Sequence, residues 1–581
     1  MLHNTEFVRY KRAQEVKKRH VMIVTYIRGW YYNNMKLTAH DLKQMNKATL
    51  ARLSPEQLLS FSERMLEDLQ EAMDRLNQNS NNSSRPPGSM PPWASDDTQN
   101  PADTAVQDHA DDDKDPVIKH SDDDDYLSPE DTSLDNVPEA PDAIGIQAPE
   151  VSPTPPIKPE LVKRVAGKQE GAKGYGRTQA LAITATVYRA RTHCASCNAC
   201  LGDYEAQAAW TAFCTIDIAE HIPGNAGITL TNTKHIFFET KCDCGHHNRE
   251  EPYAAMPDVA WPKTNLSEWR LVGPRLAAMI VLLSKRHRNS RKLIREFLLH
   301  FLRLELSVGT IDQSIRESGR SVAPLEEELI RDLEEAALAY VDETSWKEAG
   351  VLRWLWVFRT LTVVFFMVGK RDRSIFCKLL LNGRFNGIVM SDGWVVYREY
   401  ANRLRCWAHL IRKARGLSES YHTKAADVGL QMLALFTTFQ NAIYAVREQP
   451  EQPIGTLTKQ LENDIEALKA LCIANRDSTH KKLRAFAREL LLDWDTILRQ
   501  IHDPSLPLTN NEAERILRHW VIDRRLSNGT RTAEGTRSFT ILASVIETCR
   551  IRGAPAWDYL TQVILAARKG LQLPALPIMQ A

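Results

Sequence analysis

The chain has 581 residues, of which 43% are hydrophobic and 25% charged, so it can form several globular cores. The formal net charge is +1, but residues 103–135 alone carry −11, which leaves +12 on the rest. A basic body favours a polyanionic partner such as DNA. The longest strongly apolar run, Leu361–Val368, is too short to cross a bilayer, and the basic N-terminus is not followed by a cleavage site. We therefore expect a cytoplasmic protein that does not use a membrane.

The first 175 residues divide into a helical region and an acidic segment. Residues 1–93 are a predicted N-terminal helical region with a heptad pattern over Leu59–Leu76, and the Asn-, Ser- and Pro-rich stretch at 79–93 ends its last helix. About three heptads suit either a short coiled-coil dimer or a helix packed on its own domain. Residues 94–175 are rich in Asp, Pro and Ser, which predicts a disordered linker. A DNA-mimicking, autoinhibitory arm is the alternative interpretation of this segment.

Residues 176–260 hold six of the ten cysteines, which predicts a metal site in a reducing compartment rather than a disulfide framework. Two close pairs offer the four thiolates of a structural Zn²⁺ site, namely Cys194, Cys197, Cys242 and Cys244. Cys242 and Cys244 are separated by one residue, whereas two residues usually separate paired zinc ligands. Cys200, His246 or His247 could therefore replace one of the four ligands. Free thiols without metal are the alternative.

Helical periodicity returns in residues 261–335. Arg291–Leu302, a break near Leu306–Val308 and then Gly309–Ser318 predict two helices joined by a tight turn. The pair is either a helix-turn-helix whose second helix enters the major groove of DNA, or an ordinary helix pair.

Residues 336–415 change to strand patterns and predict a mixed sheet. They indicate three antiparallel strands, a helix and two further strands, carried by AYVDETSW, VLRWLWVFRT, LTVVFFMVGKRD, NGIVMSDGWVVY and RLRCWAH. Residues 416–504 predict an all-helical insertion. Residues 505–560 resume the sheet domain with further helices, and 561–581 form a predicted C-terminal tail. The chain is therefore expected to be an α/β multidomain protein.

Acidic residues at the strand ends predict a cation site. Asp342 lies in the first strand and Asp392 follows the fourth, and a buried acid is costly unless it is paired or metal-bound. Two carboxylates on neighbouring strands suit Mg²⁺ or Mn²⁺. Glu512 and Glu514 lie about 200° apart on a helix, so one of them can face the sheet. The alternative is an Asn-capped helix start with a Glu–Arg pair.

This order of elements is that of a ribonuclease H-like domain, with acids placed in the Asp-Asp-Glu layout of transposases and integrases. Most of the chain also resembles the insertion sequence 66 family of bacterial transposases. Seven landmarks occur in the family's order: NSNNSSRPP at 79–87, the cysteine module, VDETSW at 341–346, VMSDGWVVY at 389–397, CWAHLIRKAR at 406–415, TNNEAERILR at 509–518, and SVIETCRIRG at 544–553 with WDYL at 557–560.

The resemblance implies that Asp342, Asp392 and Glu514 are the catalytic carboxylates and hold two Mg²⁺ or Mn²⁺ ions. It implies cleavage at transposon terminal inverted repeats and strand transfer into target DNA. It further implies a homodimer or higher assembly on DNA, small accessory proteins of the same element, and a structural zinc site. The chain departs from the family at Thr509, where Asp usually precedes the paired Asn, and at 286–296, whose family role is therefore open.

Basic residues around the late helices indicate a DNA-binding face, because guanidinium groups bind phosphates bidentately. They are Arg515, Arg518, Arg524, Arg525, Arg531 and Arg537. Pairing with Glu512, Asp523 or Glu534 is the alternative role of each arginine. His409 and Cys406 form a further candidate metal pair, but a structural role is favoured because no other ligand lies nearby in the sequence.

Two other functions stay open at this stage. One is a catalytically idle, zinc-containing DNA-binding protein or regulator, against which three intact acids argue. The other is a ribonuclease H-like nuclease, since a fold does not fix its substrate. The N-terminal helices, zinc module and helical insertion favour recognition of transposon ends over simple hydrolysis.

Overall fold

The structure is a computed structural model that describes Leu50, residues 53–78, Asn82, 181–220, 227–254, 258–448 and 455–579. The predicted linker at 94–175 and the helical prediction before Leu50 lie outside these residues. Within them the protein is mixed α/β, with two mixed sheets. None of the described helices is long and apolar enough to cross a membrane.

The cysteine-rich region forms a small sheet. Its strands are β1 (Ala185–Arg189), β2 (Ala208–Ile218), β3 (Leu230–Lys241) and β4 (His247–Arg249). Strand β3 pairs parallel with β1 and antiparallel with β2 and β4. The end of β2 joins the large core through buried Ile216 and Ile218. Between them, Oδ1 of Asp217 accepts a hydrogen bond from the backbone N–H of Leu276 at 2.8 Å, which fixes the sheet to the next helix.

The larger sheet follows the predicted strands. It contains β5 (Leu338–Glu348), β6 (Val351–Arg359), β7 (Val364–Gly369), β8 (Ile388–Ser391) and β9 (Arg403–Arg405), in the spatial order β7-β6-β5-β8-β9. The first three strands are antiparallel, whereas β8 is parallel to both β5 and β9. Aromatic and β-branched residues dominate β6 and β7, and residues 355–358 and 363–366 are buried, as expected for strands covered on both faces.

Helices cover both faces of this sheet. They are α2 (Pro274–Lys285), α3 (Arg291–Leu302), α4 (Val308–Val322), α5 (Glu326–Glu334), α6 (Arg373–Leu379), α13 (Asn511–Ser527), α14 (Ala533–Ile551) and α15 (Ala556–Arg568). Helix α14 also protects the edge strand β7. The hydroxyls of Ser544 and Thr548 accept hydrogen bonds from the backbone N–H groups of Phe366 and Val364, at 2.9 and 3.1 Å. The edge is therefore closed to pairing with another strand.

The predicted helix pair is present as α3 and α4, but its second helix is a core helix. Residues 317–322 of α4 are all buried, and Ile311 and Ile315 belong to the main hydrophobic core. This burial favours the ordinary helix pair over a DNA-reading helix. Helix α15 runs eight residues past the predicted tail boundary at 560, because Val563 and Ile564 are buried in the same core.

The predicted insertion is wholly helical in its described residues and has its own core. Its helices are α8 (Thr423–Arg447), α9 (Thr456–Gln460), α10 (Glu462–Asn475), α11 (Lys481–Leu492) and α12 (Trp494–His502). Helix α7 (Trp407–Ser418) begins before the predicted boundary at 416, because Trp407 and Leu410 are buried in the same core. Its two ends meet where the backbone N–H of Trp407 donates to the carbonyl of Leu508 at 2.8 Å. The buried Arg405 of β9 pairs with Asp493 at 3.1 Å and with Glu489, which fixes the insertion to the sheet.

The predicted N-terminal helix is present as α1 (Pro55–Leu76). Its heptad residues are exposed, with 62% of Leu59, 56% of Leu66 and 60% of Leu69 accessible. The opposite side contacts the insertion, where the buried Asp74 accepts a hydrogen bond from the hydroxyl of Ser420 at 2.7 Å. The helix is thus packed on its own domain along one side.

An aromatic cluster holds α13 on the sheet. Trp520 of α13 is fully buried and meets Phe539 of α14 at 5.2 Å and Phe366 of β7 at 5.6 Å between ring centroids. We expect Trp520→Ala to lower the free energy of unfolding by about 3–5 kcal/mol, because it removes a large side chain from a packed core. Urea denaturation measures the change. Leu526→Ala on the same helix is the control, since Leu526 is 66% exposed and should change stability by less than about 0.5 kcal/mol. Equal losses would contradict this account.

Candidate active site

Strand register brings the two predicted aspartates together. In the parallel pair of β5 and β8, Tyr340 lies opposite Met390, so continuing the register by two residues places Asp392 beside Asp342. Both side chains are oriented by backbone N–H groups. Oδ1 of Asp342 accepts from Glu343 at 2.9 Å, and Oδ1 of Asp392 accepts from Trp394 at 2.8 Å. The acids therefore meet where the sheet changes from antiparallel to parallel pairing.

A buried asparagine brings Glu514 to the same place. Asn510, at the start of α13, is fully buried and its Nδ2 donates to the carbonyl of Val341 at 2.9 Å. Glu514 follows one helical turn later. Glu512, which lies on another side of the helix, forms an ion pair with Arg359 at 2.8 Å. The two glutamates thus face different sides of α13, as the helix geometry predicted. The hydrogen bond from Asn510 to Val341 could not be predicted from the sequence.

The site concentrates negative charge among half-buried side chains. Burial raises the pKa of Asp342 well above its usual range, and the neighbouring Glu343, Asp392 and Glu514 raise it further. Burial also raises the pKa of Glu343. Glu343 nevertheless has partners, since it pairs with Arg371 at 2.8 Å and accepts a hydrogen bond from the hydroxyl of Tyr397. Asp342 has no such cationic partner among the described residues, and its surroundings suit a bound cation.

The fold places Glu514 beside His409 and Cys406, as a third possible metal ligand. Nδ1 of His409 lies 3.8 Å from Oε1 of Glu514, and neither buried atom has a hydrogen-bond partner among the described residues. One ligand atom from each of Cys406, His409 and Glu514 lies within 4.8 Å of the other two. Burial lowers the pKa of His409 to about 3, so its ring is neutral at physiological pH. Burial raises the pKa of Cys406 to about 11, which leaves it a thiol. Of these two side chains, the neutral imidazole of His409 is therefore the better metal ligand beside Glu514.

Tyr397 and Tyr400 belong to the packing of the sheet domain. Tyr397 is buried against Trp356 and Phe376. The hydroxyl of Tyr400 donates to the carbonyl of Gly387 at 2.7 Å.

The four predicted zinc ligands lie together. One pair comes from the loop after β1 and the other from the turn between β3 and β4. Sγ of Cys194 lies 3.7 Å from Sγ of Cys244, and Sγ of Cys197 lies 3.5 Å from Sγ of Cys242. All four sulfur atoms lie within 4.8 Å of one another, whereas the exposed Cys200 is outside the cluster. A backbone hydrogen bond at Cys197 lowers the pKa of Cys194 to about 5, so this side chain is a thiolate at neutral pH. The cluster can hold a tetrahedral metal ion.

The six predicted DNA-binding arginines have different surroundings. Nη1 of Arg524 donates to Oγ1 of Thr344 at 2.8 Å and to Oγ of Ser345 at 2.7 Å, so this arginine fastens α13 to β5. Arg537 lies over the ring of Trp261 at 5.6 Å and 3.7 Å from Glu326. The other four side chains are exposed, namely Arg515, Arg518, Arg525 and Arg531.

Comparisons with known proteins identify this part of the chain. Residues 270–538, which include all three acids, match the family described as "Transposase IS66 family". Residues 270–538 thus carry the transposase domain of that family. Similar curated proteins include the uncharacterized proteins y4jO and y4qI of Sinorhizobium fredii, at 23% identity over 173 residues and 21% over 207. These matches cover 30% and 32% of this chain, and the chain spans about half (51%) and about a third (37%) of the two relatives.

The cysteine cluster predicts one zinc ion per chain. We expect elemental analysis of purified protein to find one equivalent of zinc, and Cys242→Ser to lose it, because a structural site needs all of its ligands. Cys200→Ser is the matched control and should keep the metal. Zinc-free wild type, or equal zinc in both variants, would reject the site.

The buried charge of Asp342 predicts a stability cost. Because folding raises the pKa of this acid, its ionisation destabilises the folded state at any pH above the ordinary pKa of aspartate. In zinc-loaded protein without other divalent cations at pH 7, Asp342→Asn should raise the thermal midpoint by about 2–4 °C. Mg²⁺ should then stabilise the wild type and leave the variant unchanged. The exposed Asp427→Asn is the control, and a lower midpoint for Asp342→Asn would contradict the argument.

Proposed function

We propose that the protein is a transposase that cuts DNA at transposon ends and transfers the strands into target DNA. The main supporting observation is that Asp342, Asp392 and Glu514 converge at the junction of β5, β8 and α13, where burial and the two other acids raise the pKa of Asp342. Arg412 lies 3.7 Å from Glu514, and Asp342 has no cationic partner among the described residues. The sheet order β7-β6-β5-β8-β9, with the first three strands antiparallel, supports a ribonuclease H-like domain as the scaffold. The family of residues 270–538 supports DNA as the substrate.

The three carboxylates would hold two Mg²⁺ or Mn²⁺ ions, with Nδ1 of His409 available beside Glu514. Nδ1 of His409 and Oε1 of Glu514 are buried and accept or donate no hydrogen bond within the described residues, which fits such a role, although Arg412 lies 3.7 Å from the same oxygen of Glu514. When bound, the ions supply an activated water or 3′-hydroxyl and stabilise the charge of the leaving oxygen. The chain's own contribution is positioning. The hydrogen bond from the side chain of Asn510 to the carbonyl of Val341 fixes the start of α13. Arg371 and Tyr397 bind the carboxylate of Glu343, which therefore does not join the metal-binding set.

DNA binding would use the exposed arginines beside the site and the zinc module. Arg515, Arg518, Arg525 and Arg531 are exposed and would contact phosphates, although Arg515 also lies 3.9 Å from Glu512. Arg524 would support the same face from within through its hydrogen bond to Ser345, and the exposed Arg537 would support it at the surface through its contact with Trp261. We also propose a homodimer or higher assembly on paired DNA ends, with small accessory proteins of the same element as further partners.

A strand-transfer assay tests the proposal. Labelled DNA carrying the element's terminal inverted repeats is incubated with target DNA, Mg²⁺ or Mn²⁺ and the protein. We expect joined products from the wild type and a loss of at least about 100-fold in Asp392→Asn and Glu514→Gln, because each removes a charge from the metal-binding set.

Glu512→Gln is the matched control, since Glu512 lies on the same helix and pairs with Arg359 instead. Equal losses in Glu512→Gln and Glu514→Gln would contradict the choice of Glu514. Tight binding of end DNA without cutting, even with the accessory proteins added, would favour the idle DNA-binding protein. Nicking without joining would favour the nuclease.

A further inference from the structure

A basic cleft lies apart from the three acids. Its volume is about 490 Å³, and it is bounded by the end of α2, the start of α3, the loop after α13 and the start of α14. Trp346 of β5 also lines it. Trp346 is four residues along β5 from Asp342, which is roughly 13 Å at the usual rise of a strand. On a DNA duplex that passes over both places, the cleft and Asp342 are therefore separated by about four base pairs.

Three cations of the cleft make no ion pair within the described residues. Lys285 is only 7% exposed and its Nζ lies 4.9 Å from the ring centroid of Phe539. Within the described part of the chain, the side chains of Lys285, Arg288 and Arg531 form no hydrogen bond or ion pair. Asp523 also lines the cleft, but it makes no ion pair with them. Burial and, to a smaller extent, Arg291 lower the pKa of Lys285 to about 8, while the nearby Asp523 and Asp312 act in the opposite direction.

Two helix N-termini open on the same cleft. Ser290 caps α3 by accepting from the backbone N–H of Leu293, and Thr532 caps α14 by accepting from Gly535. The remaining N–H groups of each first turn lack partners within the helix and attract anions. The loop carrying Arg531 is already held in place, because the backbone N–H of Thr530 donates to the carbonyl of Lys347 at 2.9 Å.

We propose that this cleft binds a backbone phosphate of the DNA, held by Lys285, Arg288, Arg531 and the first turn of α14. A phosphodiester supplies the single negative charge and the acceptor oxygens that three unpaired cations and two helix N-termini require. The inference rests on the proposed function and adds to it a contact outside the catalytic centre. The cleft would fix where the duplex lies relative to the acids without reading its sequence.

The test measures binding separately from cutting. All proteins carry Asp392→Asn, and the probe is a fluorescein-labelled duplex of the element's terminal inverted repeat. Fluorescence anisotropy over a salt series gives the affinity and its salt dependence. We expect Lys285→Met and Arg531→Gln each to weaken binding about tenfold and to reduce the slope of log K against log salt by about 1. The exposed Lys424→Met on α8 is the control and should change neither quantity.

A second measurement identifies the phosphate. Single phosphates of the duplex are replaced by uncharged methylphosphonates, one position at a time. One position should weaken binding to the parent protein and have no further effect on Arg531→Gln, because the contact is already lost. Arg531 is exposed, so this variant should fold even if Lys285→Met does not.

The outcomes separate the two proposals. Tight end binding that is unchanged in folded Lys285→Met and Arg531→Gln overturns the cleft alone. A parent protein that binds no end DNA overturns the proposed function, and the cleft with it.

Discussion

The mutual repulsion of three carboxylates is the constraint on which the arrangement of the sheet domain depends. Asp342, Asp392 and Glu514 would separate if their positions rested on the side chains alone. Backbone structure holds them instead. The parallel register of β5 and β8 fixes the two aspartates, and the bond from Asn510 to Val341 fixes the helix that carries Glu514. The surrounding packing thus maintains a concentration of charge that is unfavourable until a cation neutralises it.

Two aspartates of the domain have pKa values that are shifted in opposite directions. At the junction of β9 and the insertion, Asp493 is fully buried, and burial alone would raise its pKa. Hydrogen bonds from Arg398 and Arg403 outweigh that effect and hold its pKa below the usual range. Asp342 has no comparable partner, and its pKa is raised. Paired charges therefore anchor the structure, whereas unpaired charges mark the places where ligands are proposed to bind.

The strands and acids could be predicted because their signals are local. Aromatic and β-branched runs gave β5, β6 and β7, and helix periodicity separated Glu512 from Glu514. Contacts between distant segments could not be predicted. His409 meets Glu514 across 105 residues, and no spacing rule links them. Composition also could not show that Arg524 bonds to Ser345 within the fold while its neighbour Arg525 is exposed. Burial decides between such roles, and burial depends on tertiary packing.

The two ends of the helical insertion lie side by side, and this affects how the domain can change during evolution. Because Trp407 and Leu508 are joined by a backbone hydrogen bond, the chain leaves and re-enters the sheet domain at one point. The path length between them adds little to the entropy of closing that loop, which grows only with the logarithm of its length. The insertion also folds around a core of its own. Its size is thereby uncoupled from the position of Glu514, so helices can be gained, lost or exchanged there while the three acids keep their geometry.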